Sequence, residues 1–238
     1  MRKTFFAGCL LFVSALTAVY AQNKEKETLE GNGKLVTRDV AVSSFDALKA
    51  SGVYELKLTQ GNKESVKIEA DENLQDLFNV HNDGSRLVVE MKKMENKSLK
   101  PKNKMRVYIT FRKLKDLDLS TVGNVSADNA LTFDDLDVDA KSVGNINLNL
   151  SANKLNLDNK SVGDVKLSGK AQTAVFKNKG VGSLNAGTFV VQTMNIENTG
   201  VGSAEVNAEK ELKVKDSFLG KVKNKGAAPV RKLNREVI

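Results

Sequence analysis

The sequence predicts an all-β fold in which short strands stack as a parallel β-solenoid. Three observations predict it: a Val-Gly phrase that recurs six times, apolar residues that align in columns around it, and repeats too short to hold a helix. In the 238-residue chain, the six glycines are 21, 19, 19, 20 and 18 residues apart. A fixed period of this length is typical of repeats that bury their apolar faces only against their neighbours.

The glycine of each phrase is predicted to form a tight corner between two strands. Stacked coils must turn at the same place, where a positive φ or a close backbone approach excludes a β-carbon. The structural turn is therefore assigned to Gly123, Gly144, Gly163, Gly182, Gly202 and Gly220.

Two apolar columns flank each corner. Five residues before the valine lie Leu117, Val138, Leu157, Phe176, Ile196 and Val214, and three residues after it lie Val125, Ile146, Val165, Leu184, Ala204 and Val222. Because residues i and i+2 of a strand face the same way, every column, including the valine column that ends at Leu219, is expected inside the stack. A leucine-rich repeat has a similar period, but a second strand follows each corner directly and leaves no residues for its helix.

A polar column lies three residues before the valine. Asn159, Asn178 and Asn198 occupy it in three consecutive repeats, and they are predicted to form an internal ladder of side-chain amides. The alternative is a row of exposed amides that binds a ligand or a metal.

The N-terminus has the features of an export signal. Arg2 and Lys3 precede a mostly apolar segment, and a small residue, Ala21, marks the predicted cleavage point, so residues 1–21 are assigned to a signal peptide. The alternative of an uncleaved anchor needs a longer apolar run. Cys9, the single cysteine, lies inside this segment with too few apolar residues before it for lipoprotein attachment, so the mature chain has no thiol or disulfide.

The remaining chain divides into four parts. Residues 22–38 are polar and are predicted to be a flexible leader. Residues 39–226 form one solenoid domain, with a β-rich N-terminal part at 39–113 and regular coils at 114–226, and residues 227–238 form a tail. Within the N-terminal part, a turn at 60–63 predicts a hairpin between the flanking strands, and 71–78 predicts a helical turn.

With these features in place, the chain resembles the family described as putative auto-transporter adhesin, head GIN domain, from about Val40 to Gly226. The resemblance rests on the segment Phe45–Gly52, on Leu56–Gly61, and on the Gly-Asn/Asp-Val/Ile corners, of which Gly144-Asn145-Ile146 is the most literal. It implies a right-handed parallel β-helix with a more open N-terminal half in a secreted protein of Bacteroidetes. It implies no catalytic residues.

Sites for chemistry are few. The single histidine, His81, has no partners for a triad or a zinc site, and no cofactor is expected. The densest acidic group is Asp134, Asp135, Asp137 and Asp139. Asp137 and Asp139 should face outward together, and one coil earlier Asp116 and Asp118 extend them into a weak cation or ligand site; the alternative is a solubilising strand face.

Lysines concentrate in the last coils. Lys177, Lys179, Lys213, Lys215, Lys221 and Lys223 form a weak candidate site for an anionic ligand, with edge protection as the alternative. The formal net charge falls from +8 to +6 when Arg2 and Lys3 are removed, which favours anionic partners. The mature chain has no Trp and two Tyr, which weakens a lectin function.

These features favour a non-catalytic exported cell-envelope protein that acts as an adhesion module in the periplasm, on the outer surface or after release. Its expected partner is an acidic glycan or another envelope protein, with no nucleic acid and no membrane span in the mature chain. The alternatives are a polysaccharide-acting β-helix enzyme that uses the aspartates and a structural component that self-assembles.

Overall fold

Nearly all regular structure in the described residues, 27–94 and 97–233 of a computed structural model, is β-strand. One short 3₁₀ helix, Glu72–Leu77, falls within the segment where a helical turn is predicted. The strands are β1 Glu27–Glu30, β2 Leu35–Val40, β3 Ala47–Val53, β4 Glu55–Gln60, β5 Ser65–Asp71, β6 Phe78–Asp83, β7 Arg86–Met91, β8 Lys97–Lys100, β9 Arg106–Phe111, β10 Asp116–Val122, β11 Val125–Ala127, β12 Leu131–Ala140, β13 Ile146–Asn159, β14 Val165–Asn178, β15 Leu184–Asn198, β16 Ala204–Asp216, β17 Val222–Asn224 and β18 Val230–Lys232.

Sixteen of these strands form one continuous sheet, and β1 pairs with β8 in a separate parallel ribbon. The large sheet is mixed, because β2–β5, β5–β9 and β6–β7 pair antiparallel while its other pairs are parallel. The sheet curls back on itself like a nearly closed barrel. Its hydrogen-bonded strands run in the order β4, β11, β13, β12, β10 and β3, and β3 is joined to β4 by a single residue, so the two ends of this series are adjacent in the chain. The predicted all-β class is confirmed.

The second half of the chain consists of stacked coils in which long strands bend across two sides of the molecule. In β13 the first residues pair with β11, and residues from Leu150 onward pair with β12. Strands β13 to β16 then pair in parallel, each with the next. We call the segments before each Val-Gly corner the front face and those after it the back face.

The aligned apolar columns fill the interior between the two faces. Leu157, Phe176 and Ile196 stack in the front column and are at most 5% exposed, and Val165 and Leu184 lie in the back column at 1% or less. Burying large aliphatic side chains contributes about 1.5–3 kcal/mol each, which offsets the chain entropy without a disulfide.

The corners have the geometry that the repeated glycine requires. φ is +145° at Gly123 and between +130° and +135° at Gly144, Gly163, Gly182 and Gly202, whereas Gly220 is not among the positive-φ glycines. A β-carbon on Gly144 would lie 2.6 Å from the carbonyl oxygen of Gly123, so conformation and space both exclude a side chain there.

The valine column is not in the interior, and the prediction that it lies there is wrong. Val122, Val143, Val162, Val181 and Val201 bridge one another in parallel and are each 49–51% exposed. Strand alternation continues up to the corner: in β10, Leu117, Leu119 and Thr121 are buried and Val122 faces outward. Each valine lies five residues after the buried front column, an odd number, and therefore on the opposite side of the chain. Val53 at one end and Leu219 at the other extend the row.

The coils do not stack in the order of the sequence. The coil made by β7 and β9 lies outside the coil made by β3 and β4, although it follows it in the chain. Strand β9 therefore inserts between β4 and β5, and the predicted hairpin across residues 60–63 is wrong. The turn reverses the chain, but both strands hydrogen-bond to β9 instead of to each other.

Both ends of the domain extend beyond the predicted limits. Within the expected leader 22–38, β1 pairs with β8 and β2 begins its pairing with β5, so residues 27–30 and 35–38 of this segment are strand. Within the expected tail 227–238, β18 pairs with β16. The predicted signal peptide and Cys9 lie outside the described residues.

Candidate functional site

Three buried asparagines form a hydrogen-bonded ladder inside the coils. The Nδ2 of Asn159 donates to the Oδ1 of Asn178 over 2.6 Å, and the Nδ2 of Asn178 donates to the Oδ1 of Asn198 over 2.7 Å. Their exposed fractions are 3%, 2% and 0%. The ladder ends at Asn198, whose Nδ2 donates to the backbone carbonyl of Gly202. These amides satisfy one another and are not presented to a ligand.

The front face brings the four predicted aspartates together. Asp116 pairs in register with Asp137, and Asp118 pairs with Asp139, so two short columns of carboxylates lie side by side on neighbouring strands. Alternation along each strand sends these side chains outward while Leu117 and Val138 point inward. Asp134 and Asp135 lie apart from them, beside a depression lined by Asp46 and Lys115.

A groove of about 480 Å³ runs along these columns and contains residues that sequence reasoning did not assign to the acidic site. Asp158 continues the column of Asp118 and Asp139 by one further coil, while Asn156 continues that of Asp137. The groove is lined by Arg86, Asp116, Leu117, Asp118, Asp137, Val138, Asp139, Asn156, Leu157, Asp158, Val175 and Lys177. Aligning the repeats in the sequence could have assigned Asp158 to this site, since it occupies the same column position as Asp139.

Most groove carboxylates already have a basic or amide neighbour. Lys141 lies 3.0 Å from Asp139, and Lys160 lies 3.0 Å from Asp158. The Asp139 carboxylate, with Asp118 and Asp158 nearby, raises the pKa of Lys141. The coils therefore present alternating charges in which the aspartates set a locally negative potential.

Two further aspartates of the groove have partners as well. Asp116 lies 3.0 Å from Arg86, and Asp137 accepts a hydrogen bond from Asn156. Asp118 has no ion pair within the described residues. Within that same part of the chain, no group of three or more His, Cys, Asp or Glu side chains is arranged to hold a metal ion.

The predicted lysines divide between the two faces. Lys177 and Lys215 lie in the same front-face column as Asp158, farther along the stack, and Lys213 lies in the column of Asp137 and Asn156. Lys179 projects from the front face beside the valine row, Lys221 follows the last corner, and Lys223 lies on the back face opposite Glu205. The structure thus places Lys177, Lys213 and Lys215 on one surface with the aspartates.

Aromatic and histidine side chains do not join this surface. Tyr54 is 2% exposed and donates to the carbonyl of Val89, and burial raises its pKa well above the usual range. His81 lies exposed on β6 opposite Val88.

A buried carboxylate, Asp71, joins the N-terminal segments. Its oxygens accept hydrogen bonds from the backbone N–H groups of Gly33, Lys102 and Asn103 and from the Asn103 side chain. Burial alone would raise the pKa of Asp71, but these hydrogen bonds hold the pKa below its usual value. The sequence assigned this residue only to the start of a helical turn, where its side chain makes no capping bond.

These features define an all-β repeat protein with a polar, shallow outer face. Residues 44–228 match the family described as "Putative auto-transporter adhesin, head GIN domain", and the chain belongs to that family. The resemblance in the sequence is thereby confirmed.

Solved structures share the fold. A putative adhesin from Bacteroides fragilis is 30% identical, with a TM-score of 0.73 over 86% of this chain and all of the other. A putative adhesin from Parabacteroides distasonis is 21% identical, with a TM-score of 0.61 over 87% of this chain and 96% of that one. A protein of the same species described as a putative lipid binding protein is 17% identical, with a TM-score of 0.55 over 87% of this chain and all of the other. No curated protein matches the chain.

Among the residues that the structure describes, no helix is long and apolar enough to span a bilayer.

Proposed function

We propose that this chain is a non-catalytic, exported adhesion module that uses its front face as the interaction surface. The observation that carries the proposal is the two outward columns on that face, which run in register from Asp116 and Asp118 to Lys213 and Lys215. A rigid ladder holds polar groups at a spacing of about 4.8 Å, which suits a long, repetitive partner. Membership of a family described as adhesins supports the same role.

The fold that we propose for the coils is a right-handed parallel β-helix. The in-register parallel pairing of β12 to β16 and the stacked interior columns support the helical stack. The handedness follows the family resemblance. The antiparallel strands β2, β5 and β6 then cover the N-terminal end of the stack.

The partner that we propose is an acidic glycan or another envelope protein. Lys177, Lys213 and Lys215 give the late coils a basic front face for carboxylate or sulfate groups. The mixed acidic and basic lining of the early groove suits a protein surface. We propose no nucleic-acid partner, because export separates the chain from nucleic acid.

Export is part of the proposal. Residues 1–21 would be removed as a signal peptide after Ala21, which places the mature protein in the periplasm, on the outer surface or outside the cell. Sequencing the N-terminus of the protein recovered from the cell envelope tests this step, and a first residue other than Gln22 contradicts it.

The functional test screens the purified protein against acidic and neutral polysaccharides, with binding and product formation both measured. We expect binding to acidic polysaccharide that falls about tenfold in Lys177→Glu and Lys213→Glu, since each replaces an attraction with a repulsion. Lys166→Glu, on the back face, is the matched control and should bind normally.

Two outcomes would contradict the proposal. Loss of binding in the control as severe as in the front-face variants would remove the front face from the interaction. Depolymerisation of any polysaccharide that disappears in Asp137→Ala would instead support the enzyme alternative.

A further inference from the structure

We propose that the front face is also a self-docking surface, on which two copies of this chain pack face to face with their coils running in opposite directions. The inference does not depend on the adhesion role. It rests on the division of charge along the face, on the exposed valine row at its border, and on the size of the surface.

Charge changes sign along the front face. The early strands β10, β12 and β13 carry the aspartates of the groove, and the late strands carry Lys177, Lys213, Lys215 and Arg231 in the same outward columns. Glu211 and Glu197 lie beside Lys213 and Lys215, at 2.9 Å and 3.4 Å, so the late half is basic by a smaller margin than its lysines alone suggest. Two copies in the same direction would oppose aspartates to aspartates and lysines to lysines. Opposite directions place the acidic half of each copy on the basic half of the other.

The register makes this match specific. Eight strands from β3 to β18 form the face, so a twofold axis between β13 and β14 sets β10 opposite β16 of the second copy. Asp118 then faces Lys215, and Asp158 faces Lys177. Neither Asp118 nor Lys177 has an ion pair within the described residues of its own chain.

Two like-charge pairs arise in the same arrangement. Asp139 would face Glu197, and Lys160 would face Lys179. Three of these four side chains already have an oppositely charged neighbour: Asp139 lies 3.0 Å from Lys141, Glu197 lies 3.4 Å from Lys215, and Lys160 lies 3.0 Å from Asp158. The opposed halves therefore remain complementary as a whole.

The valine row selects the same twofold axis. A rotation about an axis that lies in the interface and runs along the strands keeps each column opposite its own copy, so the valines meet valines. Val162 would face Val181, and Val143 would face Val201. The parallel arrangement would instead set the row against the polar column of Asp137. A contiguous exposed apolar row is typical of an interaction surface.

The area is sufficient for a stable dimer. Eight strands about 4.8 Å apart and about 20 Å wide, from Asp116 to Val122, give roughly 700 Å² per copy. Standard interfaces bury about 800 Å² per partner. The described back-face strands have no comparable apolar row, since the residues in their first outward column are Ser126, Asn147, Lys166, Asn185 and Glu205.

Sedimentation equilibrium of the full chain tests the proposal. We expect a monomer–dimer equilibrium with a dissociation constant in about the micromolar range, weakened by salt. Val162→Lys should raise that constant about tenfold or more, because it puts a charge into the valine contact. Its side chain is half exposed, so the fold should persist, which circular dichroism checks.

A charge exchange distinguishes this dimer from other assemblies. Asp118→Lys and Lys215→Glu should each weaken the dimer about tenfold. The double variant should recover part of that loss, since the opposed pair is restored with its sign reversed while Glu197 remains without its lysine neighbour. Lys166→Glu on the back face should change nothing.

The proposal is overturned by a protein that stays monomeric at about 100 μM, or by a dimer that the front-face variants leave intact. Association that only Phe218→Ser abolishes would assign the contact to the end of the stack, where Phe218 is 83% exposed. Polysaccharide binding, measured at protein concentrations below the dissociation constant of the dimer, tests the adhesion role separately.

Discussion

The side-chain Nδ2 of Asn159 donates a 2.6 Å hydrogen bond to the Oδ1 of Asn178 in the adjacent coil, and both side chains are buried. Asn178 in turn donates to Asn198, so the middle amide serves one neighbour as acceptor and the other as donor. A chain of this kind is stable only while every member is present, because a buried amide without a partner loses its hydration and gains nothing in return.

Asn178→Ala should therefore destabilise the protein by about 2–4 kcal/mol, since it leaves one donor on Asn159 and one acceptor on Asn198 unpaired. The free energy of unfolding in urea measures the effect. Asn147→Ala, at an exposed back-face position, is the control and should change stability by less than about 0.5 kcal/mol. Equal losses in the two variants would contradict the ladder.

Gly163→Ala should cost about 2–4 kcal/mol, because a β-carbon there meets the carbonyl of Gly144 at a φ of +130°. Gly84→Ala is the comparison without a close approach. Its φ of +57° lies in the left-handed region and nothing lies within 4 Å, so a conformational cost of about 1–2 kcal/mol should appear, which is a lower limit for the conformational cost at Gly163. Thermal unfolding of both variants measures the difference, and a Gly163→Ala protein as stable as Gly84→Ala would exclude the close approach.

Asp71→Asn should lower stability by about 2 kcal/mol or more at neutral pH, because the carboxylate accepts four hydrogen bonds and a neutral amide accepts fewer. The pKa of Asp71 is lowered in the folded state, so its contribution is complete above the unfolded value of about 3.9 and is lost as pH falls through the folded value. The difference in the free energy of unfolding between wild type and Asp71→Asn should therefore become smaller as the pH is lowered.

Urea unfolding at neutral pH and at successively lower pH measures that gap. Asp76→Asn, at an exposed position of the 3₁₀ helix, should show no such gap at any pH. A gap for Asp71→Asn that widens as the solution is acidified would reverse the assigned direction.

Asn224→Ala should loosen the last coil without unfolding the rest. The Asn224 side chain accepts from the backbone N–H groups of Ala208 and Gly226 and donates to the Ala228 carbonyl over 2.9 Å. Amide hydrogen exchange should accelerate in β17 and β18 and stay slow in β13, because stacked coils open from their ends. Asn185→Ala on the back face is the control, and uniform acceleration in Asn224→Ala would contradict a local closing role.

Asn224 also shows how far a column can be read from sequence. It lies opposite Val206, at the strand position that Leu167 and Ala186 occupy in earlier coils, where the side chains are apolar. The structure shows the use of a polar side chain there, because the Asn224 amide accepts from the Ala208 N–H and donates to the Ala208 carbonyl, which the Ala228 N–H also reaches. Similarly, the column position of Asp158 could be found by alignment, whereas the ion pairs of Asp139 and Asp158 with lysines two residues on depend on side-chain conformation.

The sequence by itself determined the repeat: the period, the glycine corners and the interior columns all follow from local alternation, which each coil obeys in the same way. The tertiary structure decided the rest. It placed β9 between β4 and β5, set the coil of β7 and β9 outside that of β3 and β4, and used Asp71 to join segments far apart in the chain. The outward direction of the valines, by contrast, follows from alternation, because each valine lies an odd number of residues after the buried front column and so on the opposite side of the strand. Strand patterns specify which side chains share a face. Which strand pairs with which is decided by hydrogen bonds between segments that are far apart in the chain.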